Sequence, residues 1–452
     1  MIPDSYYWLP ILYLILGSVA LLVWRCSSWG SPTARYLSFG AVVLLMAFLN
    51  RVLYTIDFLI AGTRFDAWPF PVEEPAWALA KGELLTVGGI LITFWTWKAA
   101  GGQRVRLQDV VMHSRRDKRL LHVTYALSVA GIVSSRMFPT VAELTGQLLP
   151  VLHSMGIGAA VLLALSTVSR PFAQFSTALL LCIPFIADAM GKGMKESLIL
   201  ALLPVAFFAW RAVPSKAGRL GMITAGVFLT GLLTAYVNYF RAEIWIQQSG
   251  ASTVEVAESF IESMAEDGVV EVLGDGVEGF LARNNASYHR GWAVSIADVR
   301  GFYPELVFEP LVYVFVPRIL WPEKPAIRQG WEYSGIVFGA DYIKWSESST
   351  AAGLYTAFYL GGGITSVLLG AFALGLIVAL STRGAAQLGG RTAALLYMST
   401  LISFAMRLDE TWTVGALTGP IISLAYLLFL MLVMRVLNAM FWDGNKGRRV
   451  RL

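Results

Sequence analysis

The residues best suited to chemistry lie in one polar stretch, roughly 241–350. Within it, residues 283–300 carry Arg283, His289, Arg290 and Arg300. A guanidinium offers a planar fork to carboxylate or phosphate oxygens and stays charged at any working pH. Three arginines and a histidine this close together suit ion pairing with the acidic segment before them, or binding of an anionic group. Next comes Val316-Pro-Arg-Ile-Leu-Trp-Pro-Glu-Lys-Pro325. Prolines restrict φ and remove backbone donors. Three of them would hold Arg318 and Lys324 in a rigid display, with Glu323 beside them and Trp321 as an interfacial anchor. Arg328, Glu332 and Asp341 follow.

Elsewhere, Lys192 and Lys195 sit in Asp188-Ala-Met-Gly-Lys-Gly-Met-Lys-Glu196, and Arg407 stands beside Asp409 and Glu410. Arg51, Lys81 and Arg136 fall inside or at the edge of apolar runs. Ionisable groups at that depth usually face a cavity or one another. Cys26 and Cys182 suggest neither a disulfide nor a metal site, since no histidine is near them. Asn285-Ala-Ser287 matches a glycosylation sequon and reads as a chance match.

These side chains need a membrane scaffold to position them. The chain has 452 residues, of which 56% are hydrophobic and 14% charged; mean hydropathy is +0.61. Such values define an all-α polytopic membrane protein. Spans of about 20 apolar residues fall near 7–24, 36–60, 76–97, 120–138, 147–168, 171–190, 197–211, 220–239, 364–380, 391–407 and 414–436, about eleven in all. The first is a retained helix, because no small-residue cleavage pattern follows it. The reading has three blocks: 1–240 with about eight spans, the loop 241–350, and 351–452 with a broken or re-entrant helix, about three spans and a basic tail.

Orientation follows from lysine and arginine in alternate loops. Arg25 and Arg35, the run Lys98–Arg119, Arg170, then Arg211, Lys216 and Arg219, then Arg383 and Arg391, and the tail after Arg435 are basic. The intervening short loops hold Asp66, Glu73, Glu74 and Glu143. This places the N-terminus outside, the C-terminus in the cytoplasm and the long loop outside. The net charge of +5 is thus a topology signal. Nucleic-acid binding would need the cations gathered on one soluble face. Inside the loop, residues 250–282 have helical period. Val254, Ile261, Met264, Val272 and Phe280 form an apolar stripe, and acidic residues occupy the other positions.

On Val316–Pro325, on Gly353-Leu-Tyr-Thr-Ala-Phe-Tyr-Leu-Gly-Gly362 and on the large loop, the chain resembles the Wzy-type family of bacterial repeat-unit polymerases. Those enzymes make O-antigen and exopolysaccharide. Gly191-Lys-Gly-Met-Lys195 falls where similar proteins have an Arg-containing turn. Some members carry an Arg-X10-Gly pattern in two outer loops; Arg290 to Gly301 and Arg328 to Gly339 fit the spacing, but both lie in one loop. The resemblance implies a GT-C-like fold in the bacterial inner membrane. It implies transfer of a growing glycan from undecaprenyl diphosphate to the next lipid-linked unit, beside a flippase and a chain-length regulator. Fixed cations would stabilise the diphosphate leaving group without a metal or other cofactor. Arg290, Arg318 and Arg328 would take that role, and Lys192, Lys195, Arg283, Arg300, Lys324 and Arg407 would bind substrate. Tyr355 and Tyr359 share a face and can stack on sugar rings or simply pack. The acceptor hydroxyl needs a base; His289, Glu305, Glu309, Glu323, Glu332 and Asp341 stay open for it. The rivals are an O-antigen ligase with the same donor, and a transporter, which would show repeated halves.

Overall fold

The computed structural model describes residues 6–28, 36–37, 39–62, 74–102, 105–106, 115–138, 148–167, 170–191, 195–243, 252–316, 321, 323–339, 350–408, 411–437 and 439. In chain order the elements are α1 (Trp8–Ser28), β1 (Tyr36–Leu37), α2 (Phe39–Ala61), α3 (Pro75–Ala99), β2 (Val105–Arg106), α4 (Arg115–Met137), α5 (Leu148–Thr167), α6 (Pro171–Met190), α7 (Lys195–Ala212) and α8 (Lys216–Arg241). The polar stretch then folds as α9 (Thr253–Asp267), α10 (Val269–Asn284), α11 (Ser287–Arg300), α12 (Pro304–Tyr313) and α13 (Gln329–Phe338). The chain continues through α14 (Leu354–Met406) and α15 (Thr413–Leu437). β1 and β2 form a two-residue antiparallel pair, Tyr36 opposite Arg106.

Eight of these helices are long and apolar enough to cross a membrane: α1, α2, α3, α5, α6, α8, α14 and α15. The expected spans 120–138 and 197–211 are helical, as α4 and α7, but lie outside those eight; α7 gives only a shorter apolar helix. The expected spans 364–380 and 391–407 both fall in α14, whose 53 residues would reach about 80 Å if straight, far more than one bilayer core. Gly363 and Gly390 interrupt it with positive φ (68° and 71°). The piece before Gly363 is the stretch expected to be broken or re-entrant. Gly353, with φ of 79°, marks its start.

The chain divides into two compact units. The first joins residues 1–107, 283–387 and 401–424; the second joins 108–282, 388–400 and 425–452. These interleave along the sequence.

In the first unit, small residues let helices approach closely. A Cβ at Gly89 would lie 2.1 Å from the Tyr355 ring, and one at Gly40 would lie 2.7 Å from Phe94. Tyr13 meets Tyr54 edge-on at 6.2 Å, and Phe39 stacks on Phe404 at 6.2 Å.

In the second unit, Ser128 Oγ donates to the Leu152 carbonyl (2.8 Å) and Ser399 Oγ to that of Ser154 (3.1 Å). α9 begins with a capping box in which Ser252 and Glu255 satisfy each other's backbone N–H. Its Val256 and Phe260 pack on Tyr236, Val237 and Phe240 of α8. The inward face of α9 therefore differs from the expected stripe: Val254 and Ile261 are 67% and 61% exposed.

Candidate functional site

α11 is the element around which the first unit's polar groups gather. Ten of its residues are buried, Arg290 among them. Glycine opposite Arg290 makes room for it: a Cβ at Gly82 would sit 3.2 Å from Arg290 Cβ, and one at Gly353 would sit 3.0 Å from its Cγ. Arg290 Nη2 pairs with Glu83 Oε1 of α3. Arg51 Nη2 of α2 reaches Glu83 Oε2 at 2.9 Å, and the side chains of all three residues are fully buried. Both guanidinium carbons lie near the Tyr54 ring, at 5.0 Å for Arg290 and 5.7 Å for Arg51. Just before α11, Asn285 Nδ2 donates to Asp57 Oδ2 of α2 (2.7 Å). This buried, engaged amide agrees with a chance sequon. α11 is thus seated on α2 and α3 by buried charged and polar contacts. Burying charge costs several kcal/mol per ion unless paired, so removing one partner would unseat it.

The last turn of α11 carries a second group. Lys81 Nζ of α3 donates to both oxygens of Asp298, at 2.8 and 2.7 Å. Tyr359 of α14 donates its hydroxyl to Asp298 Oδ1 at 2.6 Å. The ammonium lies 4.6 Å from the Tyr359 ring centroid. The Lys81 and Asp298 side chains are 24% and 36% exposed, so this group is open where the Glu83 group is closed.

Gly301 turns the chain with φ of 95°. Tyr303 N–H then bonds the Leu360 carbonyl (2.8 Å), and Pro304 opens α12. A cleft of about 360 Å³ lies beyond, lined by Tyr303, Glu305, Leu306, Trp331, Glu332, Gly335 and Ile336. Its walls are α12 and α13. Gln329 Nε2 ties them by donating to the Leu306 and Val307 carbonyls, at 2.8 and 3.1 Å. Arg300 Nη1 bonds the Ile336 carbonyl at 3.1 Å, and Arg328 lies over the Trp331 ring at 5.7 Å. Two carboxylates, two aromatic rings and two arginines therefore share one open surface.

The sequence-predicted residues separate accordingly. Arg328 and Arg300 belong to the cleft region. Arg290 is a correction: it is enclosed with Glu83 and not presented to a surface ligand. His289 carries its imidazole edge-on to Trp292 (4.7 Å). Burial, and secondarily the Arg290 charge, lower its pKa to about 4, so it is neutral at pH 7 and a weak base. Lys324 is also reassigned: its Nζ donates to the Val314 and Val316 carbonyls, both at 2.9 Å, and so caps the end of α12. Tyr355 is buried, with its hydroxyl 2.9 Å from Thr93 Oγ1, and it presents no ring to a sugar. Tyr359 is buried but reaches Asp298. Glu323 is exposed in a turn. Arg407 ends α14. Lys195 and Arg283 lie in α7 and α10, their side chains outside the described residues, as are Lys192, Arg318 and Asp341 altogether. Among the described residues no three His, Cys, Asp or Glu side chains gather as metal ligands.

Sequence reasoning passed over Glu83 and Asp298. Glu83 had a signal, being a carboxylate inside an apolar span next to Lys81. In the second unit, Arg136 donates from Nε to Asp188 Oδ1 (3.3 Å) and from Nη1 to the Gly191 carbonyl (3.2 Å). Arg51, Lys81 and Arg136, the cations in or at the edge of apolar runs, thus each meet a carboxylate.

Fold and site together define a polytopic helical protein suited to a membrane, with a polar surface built on α11 to α13. The chain belongs to the family described as Domain of unknown function (DUF8712), which matches residues 98–439. Neither curated proteins nor solved structures yield a match.

Proposed function

We propose that this protein is a membrane glycosyltransferase that polymerises lipid-linked oligosaccharide repeat units. It moves the growing glycan from undecaprenyl diphosphate to the next lipid-linked unit. The cleft between α12 and α13 carries this reading. Trp331 supplies a flat apolar face for a sugar ring. Glu305 and Glu332 are acceptor-only groups for sugar hydroxyls. Arg300 and Arg328 supply fixed positive charge for a diphosphate. In the reaction an acceptor hydroxyl loses its proton and its oxygen bonds the anomeric carbon. The bond from that carbon to the diphosphate oxygen breaks, and the electron pair leaves on the lipid diphosphate. Preorganised cations stabilise that charge as it develops.

In this reading the protein has a GT-C-like arrangement in the bacterial inner membrane. It makes about eleven crossings, with α4 and α7 crossing and α14 crossing twice about Gly390. The N-terminus and the 241–350 stretch face outward, and no metal is needed. Full-length protein in phosphatidylglycerol vesicles, given the lipid-linked oligosaccharide fraction of its source cells, should build a product ladder in EDTA without any nucleotide sugar. Arg328→Ala should slow that ladder about a hundredfold. No ladder from the unaltered protein, or full activity in Arg328→Ala, would overturn the reading. Transfer only onto lipid A core would make the protein a ligase.

A further inference from the structure

We infer that Asp298 is the general base that takes the proton from the acceptor hydroxyl, positioned by Lys81 and Tyr359. The assignment rests on the glycan-transfer reading above. Three separate helices meet at this carboxylate: α3 through Lys81, α11 through Asp298 and α14 through Tyr359. Oδ1 accepts from both Lys81 and Tyr359, whereas among the described residues Oδ2 accepts from Lys81 alone. A carboxylate oxygen accepts more than one hydrogen bond, so Oδ2 has room for a substrate hydroxyl. The group is open as well as fixed, with Asp298 36% exposed. The Glu83 carboxylate, by contrast, is fully enclosed between two arginines.

Position supports the same role. Asp298 lies five residues before Tyr303, which lines the cleft. The intervening turn is pinned by Tyr303 N–H on the Leu360 carbonyl, next in sequence to Tyr359. The carboxylate and the cleft wall are therefore parts of one braced segment. His289 is neutral but half-buried against Trp292, and among the described residues Glu305 and Glu332 line the cleft with no ion pair to orient them. Asp298 combines exposure with two fixed donors. In the step, the acceptor O–H proton moves to Asp298 Oδ2 and the oxygen forms its bond to the anomeric carbon. The lipid diphosphate departs with the electron pair of the broken bond. The proton then passes from Asp298 to water.

Release of undecaprenyl diphosphate by full-length variants in the same vesicles tests this. Asp298→Asn should lower kcat about a hundredfold or more, as loss of a general base does. KM for the lipid-linked donor and tryptophan-quenching affinity for undecaprenyl diphosphate should stay within about threefold. Asp298→Glu should restore part of the rate, and Tyr359→Phe, which keeps both Lys81 contacts, should lose roughly tenfold in kcat. If Asp298→Asn retains near-normal kcat, or loses donor affinity as much as rate, the assignment is wrong. Should Asp298→Asn fail to fold by size exclusion, an unchanged kcat in Tyr359→Phe overturns the assignment instead. An unaltered protein that releases no undecaprenyl diphosphate defeats the glycan-transfer reading itself. A product ladder beside an active Asp298→Asn defeats only the role of Asp298.

Discussion

Glu83 is the side chain on which α2, α3 and α11 converge. One carboxylate faces two guanidinia, all fully buried, so the pairing is a matter of cost avoided more than energy gained. Breaking a buried pair from one side leaves an uncompensated charge and destabilises by roughly 3–5 kcal/mol, whereas apolar replacement of all partners can be neutral. Glu83→Gln should therefore lower the thermal midpoint in detergent sharply, and a combined Arg51→Met, Glu83→Leu, Arg290→Met variant should recover much of it. A midpoint for Glu83→Gln within a degree of the unaltered protein would show that the three side chains do not hold the helices together. At this scale the sequence was half legible. Arg51, Lys81 and Arg136 stand out because charge inside an apolar run demands a partner. Their partners do not stand out: Lys81 meets Asp298 across 217 positions, a pairing set by tertiary packing. The same ignorance made Arg290 look like a surface ligand and Lys324 like a free cation.

Elements were more legible than the faces they bury. The helical period of 250–282 is realised in α9 and α10, yet α9 carries two apolar faces. Val254 and Ile261 recur seven residues apart; Val256 and Phe260 recur four apart. Both spacings are compatible with a helix, and the choice rests with α8, whose Tyr236 and Phe240 receive Val256 and Phe260. Composition alone does not show that. α10 meets α8 still more closely, through glycine on each side. A Cβ at Gly276 would lie 2.2 Å from the Gly231 carbonyl oxygen and 2.9 Å from its carbon. Backbone cannot rotate away as a side chain can, so even alanine must push the helices apart. Gly276→Ala should destabilise by about 1–3 kcal/mol, the usual cost of overpacking. Gly274→Ala, with open space around its Cβ, should be neutral or slightly stabilising through helix propensity. Thermal midpoints of the two variants in one detergent check this; equal midpoints would mean that α8 and α10 do not pack as described.

For the whole molecule, composition gave the helical membrane class correctly, because length and apolarity alone decide whether a helix can cross. It was less informative about how many helices do. α14 runs through two expected spans, and only its backbone reveals the turns at Gly363 and Gly390. The cleft was less legible still, since Glu305 and Glu332 come together only when α12 and α13 fold against each other. Orientation is a separate property, carried by charge in the connections and not by helix packing. The basic residues Arg211, Lys216 and Arg219 flank the connection between α7 and α8, whereas the polar stretch from 242 to 282 holds no lysine or arginine and many acids. Cations resist translocation, so the first segment should stay in the cytoplasm and the second should be exported. Two exposed positions report on this, Lys216 and Val270, the latter 85% exposed. With Cys26 and Cys182 replaced by serine and alanine, a cysteine at Val270 should react with a membrane-impermeant maleimide in intact spheroplasts. A cysteine at Lys216 should react only after the membrane is permeabilised. Labelling of the Lys216 position in intact spheroplasts would invert the topology, put the α12–α13 cleft on the cytoplasmic side, and remove the outward-facing glycan transfer proposed for it.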